Sequence, residues 1–256
     1  VGVRQLRREE ELVRIRADFT SSVSHELRTP LTQILLFAET LELGRAEGED
    51  ARREAVDIIV QEARRLAHLV ENVLHFSRTE RQVLRVKKEL TRLAPLVREI
   101  VERFAPLAGT AALRIRMELD ERVAAPVDAE GIHQIVINLL DNAVKHAGRD
   151  GPITVRLSLH SDRARIVVED TGLGIPAADR QRVWDPFVRL RPSDGITGSG
   201  IGLAVVRQLA TAHGGSTEID EVAGGGSRFV VELPGGIPTA PAAEDDARHV
   251  PEASWP

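Results

Sequence analysis

Between residues 19 and 41 the apolar side chains Phe19, Val23, Leu27, Leu31, Ile34, Ala38 and Leu41 recur at steps of three and four. That spacing commits the stretch to an amphipathic α-helix. At about 100° per residue, His25 stands roughly 160–200° around the helix from Val23 and Leu27. Its imidazole therefore points away from the apolar stripe and into solvent. Glu26 flanks it, and Thr29, four residues on, shares its face. Taken alone, such a histidine is equally a solvated surface residue. The helix should continue past Pro30, whose ring removes one backbone hydrogen bond and favours a bend. LGRAEGEDA (43–51) then breaks the repeat with two glycines. A second amphipathic helix follows, with Ala55, Ile59, Leu66, Leu69, Val73 and Phe76 as its stripe and His68 and His75 as surface or interface residues. Two helices joined by a short loop form a hairpin. Because two helices cannot enclose a core, a homodimer closing a four-helix bundle is expected. Residues 1–18 are charged, with Leu6 and Val13 a heptad apart, and read as a helical linker, either the start of a coiled coil or a plain solvated extension.

From Arg81 onward the periodicity changes. VLRVKKEL (83–90) reads as a strand. Leu93–Leu107 reads as a helix, with Thr91 as N-cap and Pro95 tolerated in the first turn. LRIRMEL (113–119) alternates as a half-buried strand does, and Ala129–Ala147 is helical. ITVRLSL and ARIVVED form a hairpin about His160–Asp162, Gly200–His213 is helical, and STEIDEV and SRFVVEL form a second hairpin across Gly224–Gly226. A mixed sheet covered by helices accounts for this order. From Ile237 the Pro/Ala/acid-rich tail is expected to be disordered. The chain thus divides into a linker helix (1–18), a helical hairpin (19–80), an α+β domain (81–236) and a tail (237–256).

Composition narrows the function. The 256 residues carry a net charge of −5, which gives no basic surface for nucleic acid. The absence of cysteine excludes disulfides and thiolate metal sites and fits a reducing compartment. No run of 18 apolar residues spans a membrane, and no signal peptide is visible. Residue 1 is Val rather than Met. The chain therefore reads as a fragment or a processed form, from which any membrane-anchored or sensory part would be missing.

Three motifs in the second domain carry chemistry. HQIVINLLDNAVKHA (133–147) sets Asn138 and Asn142 four residues apart on one face, with Asp141, Lys145 and His146 beside them. Two amides and a lysine there could hold a hydrated Mg²⁺ and phosphate oxygens, or form an ordinary polar face. DTGLGIP (170–176) ends a strand on a carboxylate, suited to an exocyclic amine, and its glycines Gly172 and Gly174 let backbone approach a flat ring. GSGIGL (198–203) opens a helix whose unpaired N–H groups suit phosphate. The stretch between, Phe187–Thr197, has no clear period and reads as a lid or a plain surface loop.

Together, and in this order, the motifs strongly resemble the transmitter region of a two-component sensor histidine kinase. SHELRTPL is similar to the family's H box, NLLDNAVKHA to the N box, DTGLGIP to G1, WDPF to the F box and GSGIGL to G2. The resemblance covers roughly residues 19–233. It implies a helical hairpin that dimerises into a four-helix bundle, followed by an α+β sandwich of GHKL ATPase type.

The activity it implies is autophosphorylation of His25 by ATP, with Mg²⁺ as cofactor. The phosphoryl group then passes to an aspartate in the receiver domain of a response regulator. Glu26 would orient the imidazole or act as base, Thr29 would position water for dephosphorylating the regulator, and Arg189 would stabilise γ-phosphate charge. Asn142 would coordinate Mg²⁺ with Asn138 beside it, Lys145 would contact phosphate, and His146 would stand near the nucleotide. Asp170 would read the adenine amino group, flanked by Gly172 and Gly174. Gly198, Gly200, Gly202 and Leu203 would form the lid hinge and phosphate cradle. Trp184, in place of the family's common phenylalanine, would pack the lid base. Three other readings remain open: a nucleotide-binding scaffold without transfer, an enzyme acting mainly as regulator phosphatase, and an ATPase of the chaperone or topoisomerase kind, which the H box disfavours.

Overall fold

The computed structural model describes residues 23–80, 86–108, 115–147, 151–190, 200–222 and 224–239. Phe19, the linker 1–18 and the tail beyond 239 lie outside them. Helix α1 covers residues 23–42 and runs uninterrupted through Pro30. After the loop at 43–48, helix α2 spans Glu49–Glu80, opening on two acids that complement its positive N-terminal end. Both helices keep an apolar face that this chain leaves open, including Leu35 (53% exposed) and Leu74 (48% exposed).

The second unit is an α/β layer. Its helices are α3 (Leu93–Ala108), α4 (Ala129–His146) and α5 (Gly202–Ala212). Its main sheet has the order β2-β4-β5-β7-β6, built from β2 (Ile115–Leu119), β4 (Ile153–His160), β5 (Arg163–Glu169), β7 (Ser227–Pro234) and β6 (Ser216–Glu221). Only the β2–β4 pair is parallel. Alternation decides which side of the sheet is buried. Ile153, Val155 and Leu157 of β4, Ala164, Ile166 and Val168 of β5, and Phe229, Val231 and Leu233 of β7 turn inward onto the helices. On the opposite side the intervening positions form a cross-strand ion lattice. Arg156 lies 2.5 Å from both Glu118 and Glu169, and Arg228 completes the row on Glu169.

A small sheet, β1-β3-β8, flanks the layer, with β1 at Glu89–Arg92, β3 at Val123–Val127 and β8 at Ile237–Pro238. Here the structure departs from the sequence reading. Of the strand expected at 83–90, residues 83–85 lie outside the described residues, 86–88 are irregular, and β1 starts at Glu89. Thr91 lies within β1, its hydroxyl bonded to the Glu89 carbonyl, and does not cap α3. The segment VAAPV carried no strand signal, because it does not alternate and a proline argues against a central strand. It is nonetheless central, pairing with β1 on one side and β8 on the other. Residues 237–239, read as the start of the tail, are held by that pairing and by the Thr239 N–H on the Arg122 carbonyl.

The end of α5 is tied to the start of α4 by His213, which is 1% exposed. Its Nε2 accepts the Asp128 N–H at 3.0 Å, which leaves Nδ1 to donate to the Leu209 carbonyl at 2.7 Å. Asp128 is itself the N-cap of α4, its side chain accepting from the Glu130 and Gly131 N–H groups. His213→Ala would leave the half-buried Asp128 N–H without its acceptor and a void where the ring stood. It is expected to cost about 2–4 kcal/mol of stability in urea denaturation.

Candidate nucleotide-binding site

Helix α4 is clamped by Ile132, Ile135, Val136, Leu139, Leu140 and Ala143, all buried. Its remaining edge therefore faces a cavity of about 330 Å³ lined by Asn138, Asp141, Asn142 and Lys145. Lys145 is held by Asp141 one turn back, Nζ to Oδ2 2.6 Å. Asn142 is half-buried, whereas Asn138 is 3% exposed. Its Nδ2 donates to Oδ1 of Asn72, and its own Oδ1 faces the first turn of α5, 3.1 Å from where a Cβ at Gly202 would stand. Among the described residues no side chain caps the N-terminus of α5, so its leading N–H groups suit an anion.

Asp170 closes the far end of the cavity. It is 1% exposed; its N–H bonds the Ser227 carbonyl, and its Oδ1 accepts the Gly172 N–H at 2.8 Å and the Ser227 N–H at 3.4 Å. Oδ2 has no partner among the described residues. Burial pushes the carboxyl above the ordinary aspartate range, against the two N–H bonds that pull it down. A buried acceptor with an unused lone pair beside a cavity is matched to a ligand N–H, as on an aminopurine ring. Two glycines allow this packing. A Cβ at Gly172 would lie 2.0 Å from the His146 carbonyl oxygen, and one at Gly226 would lie 2.0 Å from that of Asp170. Gly174, Leu173 and Ile175 continue the wall.

The segment after β5 returns through Trp184, which is buried edge-to-face on Phe229 with ring centroids 6.0 Å apart. The ring is thus part of the core of the second unit. The Phe187 N–H bonds the Gly200 carbonyl at 2.9 Å, closing the stem of the segment between them. Arg189 and Leu190 on one arm, and Gly200, Gly202 and Leu203 on the other, line the cavity. Gly198 lies outside the described residues.

The same cavity is roofed by the hairpin. Glu26, Thr29 and Pro30 of α1 and Arg65, His68 and Asn72 of α2 all line it. His25 is exposed, as the helix geometry predicted, and it is its neighbour Glu26 that turns inward. Burial raises the Glu26 carboxyl above its ordinary value. The positive charges of Lys145, Arg189 and Arg65 oppose that rise. The Thr29 hydroxyl bonds its own helix, on the His25 carbonyl at 3.4 Å. Burial lowers His68, favouring the neutral ring.

Of the residues singled out in the sequence, Asn138, Asp141, Asn142, Lys145, His146, Asp170, Gly174, Gly200, Gly202 and Leu203 line the cavity, whereas Gly172 stands behind Asp170 and the apolar wall of Leu173, Ile175, Val183 and Val188 was not anticipated. Two further groups were also missed. Gly226 was read only as part of a hairpin turn and Ser227 only as the start of a strand. Arg65, His68 and Asn72 belong to no motif, and nothing in their spacing reports which helix they meet.

An ATPase-type α/β layer whose cavity is roofed by a histidine-bearing hairpin defines a class of phosphotransfer protein. Residues 15–82 match the family model of the His Kinase A (phospho-acceptor) domain. Residues 127–237 match that of the histidine kinase-, DNA gyrase B- and HSP90-like ATPases. The chain is 33% identical over 240 residues to the adaptive-response sensory kinase SasA of Synechococcus sp. (strain JA-3-3Ab), covering 90% of this chain and 63% of SasA. It is 30% identical over 234 residues to the alginate biosynthesis sensor protein KinB of Pseudomonas aeruginosa, covering 91% of this chain and 39% of KinB. Among solved structures, full-length ShkA in complex with AMPPNP superposes with a TM-score of 0.60 at 28% identity, over 86% of this chain and 46% of that one. The chain belongs to the two-component sensor histidine kinases and contains their transmitter region. It spans less than two thirds of the length of either curated relative.

Proposed function

We propose that this chain is an ATP-dependent protein-histidine kinase that phosphorylates His25 and passes the phosphoryl group to an aspartate in a response-regulator receiver domain. The observation that carries the reading is the shared cavity: Glu26 and Thr29 of the hairpin line the same space as Asn142, Lys145 and Asp170. Phosphoryl transfer is chiefly positioning and charge stabilisation, and the residues fit those tasks. Asp170 would accept the adenine amine through Oδ2. Lys145 and Arg189 would neutralise phosphate oxygens, and the α5 N-terminus with Gly198, Gly200, Gly202 and Leu203 would cradle them. Asn142, supported by Asn138, would hold Mg²⁺, which supplies charge neutralisation across the phosphates when bound. His146 would flank the nucleotide. Glu26, poised by burial against neighbouring cations, would orient the imidazole or take its proton.

The hairpin (19–80) would dimerise through its open apolar face, and residues 81–236 would form the catalytic domain. Among the described residues no helix is long and apolar enough to cross a membrane. Attachment of the whole protein to a membrane would come from a further segment.

Incubation with Mg²⁺ and γ-labelled ATP is expected to leave acid-labile, alkali-stable label on the chain. Bound nucleotide without such label would overturn the reading. Thr29, exposed one turn beyond His25 on the same helix, fits a second role in orienting water against a phosphorylated regulator. Thr29→Ala is then expected to slow regulator dephosphorylation about a hundredfold or more, the range of one positioned catalytic group, measured on purified phosphoregulator. An unchanged rate would remove Thr29 from that role.

A further inference from the structure

We infer that Asn72 of α2 is a positioning residue for the phosphorylation step: its side-chain oxygen docks the hairpin onto the nucleotide-binding helix. The inference rests on the reaction proposed above. Asn72 is 5% exposed, on a helix whose polar residues mostly face solvent. Its Oδ1 accepts two hydrogen bonds of 2.8 Å, one from Nε2 of Gln134 and one from Nδ2 of Asn138. Its Nδ2 lies 3.1 Å from Nε2 of His68, which accepts because the amide nitrogen can only donate. One oxygen of the hairpin thus collects two buried donors from α4 across 62 and 66 residues of sequence.

The placement of these partners gives the contact its consequence. Gln134, Asn138 and Asn142 follow one another at steps of four along one edge of α4. The dock therefore continues directly into the edge that faces the cavity. The packing of α4 against the rest of its own unit is apolar and does not use Asn72. What Asn72 governs is where the hairpin stands over the cavity, and with it where α1 stands. In the docked arrangement Glu26 enters the field of Lys145 and Arg189, and His25 is the residue beside it. Transfer rates depend steeply on such placement, since a shift of about 1 Å can cost on the order of a hundredfold.

Two replacements separate an acceptor from a packing residue. Asn72→Leu keeps the branched four-atom shape and removes the acceptor. Asn72→Asp keeps an acceptor oxygen for both amides and adds a buried charge. A side chain that only packs tolerates leucine and suffers from the charge, whereas an acceptor shows the reverse. In the 256-residue chain, three quantities are measured for each variant: the rate of acid-labile phosphorylation at saturating Mg²⁺-ATP, the Kd of a fluorescent ATP analogue, and the thermal melt.

Asn72→Leu is expected to lower the saturating rate at least about tenfold, the equivalent of one lost buried hydrogen bond, with Kd within about twofold of wild type. Asn72→Asp is expected to recover most of that rate. A leucine variant with the wild-type rate, an aspartate variant as slow as leucine, or a loss falling on Kd instead of rate would each overturn the inference. Should Asn72→Leu melt early, Gln134→Met removes one of the two donors. A smaller loss of rate is then expected, and an unchanged rate overturns the dock. Wild-type chain that takes no label would instead sink the proposed reaction and leave the dock as a structural contact.

Discussion

His25→Ala is expected to abolish acid-labile, alkali-stable labelling from γ-labelled ATP while nucleotide affinity stays within about twofold of wild type, given that the removed side chain is exposed. Loss of label follows because a phosphoramidate requires a nucleophilic side-chain nitrogen, and the side chains beside His25 on α1, Ser24 and Glu26, offer none. Retained affinity follows from the geometry. His25 is exposed and does not line the cavity, whereas the walls that would grip a nucleotide come from α4, the Asp170 loop and α5. Quantitation of label on gel and titration with a fluorescent nucleotide measure the two halves independently. Label that persists in the variant at the wild-type level would place the acceptor elsewhere.

Asp170→Asn is the second large effect, and it falls on binding. The wild-type carboxylate uses Oδ1 for the Gly172 and Ser227 N–H groups and keeps Oδ2 for a ligand. An asparagine fits neither way round. With its oxygen toward the two backbone N–H groups, its NH₂ meets the ligand amine donor to donor. Flipped, the NH₂ confronts the Gly172 N–H. Losing one hydrogen bond to a charged group at a buried site costs about 2–3 kcal/mol, or roughly 30-fold to 150-fold in Kd.

The direction of the Asp170 shift adds a pH signature. Burial raises this carboxyl above 3.8. In the window from that ordinary value up to the raised one, the native state therefore holds more proton than the unfolded chain. Stability of the ligand-free protein accordingly falls as pH rises through the window. A bound amine favours the carboxylate, so nucleotide affinity should rise with pH over the same window. Isothermal titration at several pH values should show this slope in wild type and lose it in Asp170→Asn. A slope that survives the substitution would belong to another group.

Local chemistry carried much of this protein into view before any fold was known. His25, Asn142, Lys145 and Asp170 sit in motifs where the residue types and their spacing encode the task, because a helix turn of 3.6 residues or a strand end sets their relative positions within a few ångströms. The hairpin, α4 and the two β-hairpins were legible for the same reason. β3 was not, since Val123–Val127 lacks alternation and carries Pro126. Its strand character comes from the neighbours on either side, β1 and β8.

Other features exist only at long range. That Ser227 backs Asp170, that His213 caps the start of α4 from the end of α5, and that Asn72 receives Gln134 and Asn138 all depend on hydrogen bonds spanning 57 to 85 residues. No local period constrains such pairs. Chain order therefore specifies which groups can do chemistry, and packing of the apolar faces decides which of them meet: α4 onto the sheet leaves the Asn138–Asn142 edge outward, and the hairpin laid on that edge brings Glu26 to the cavity.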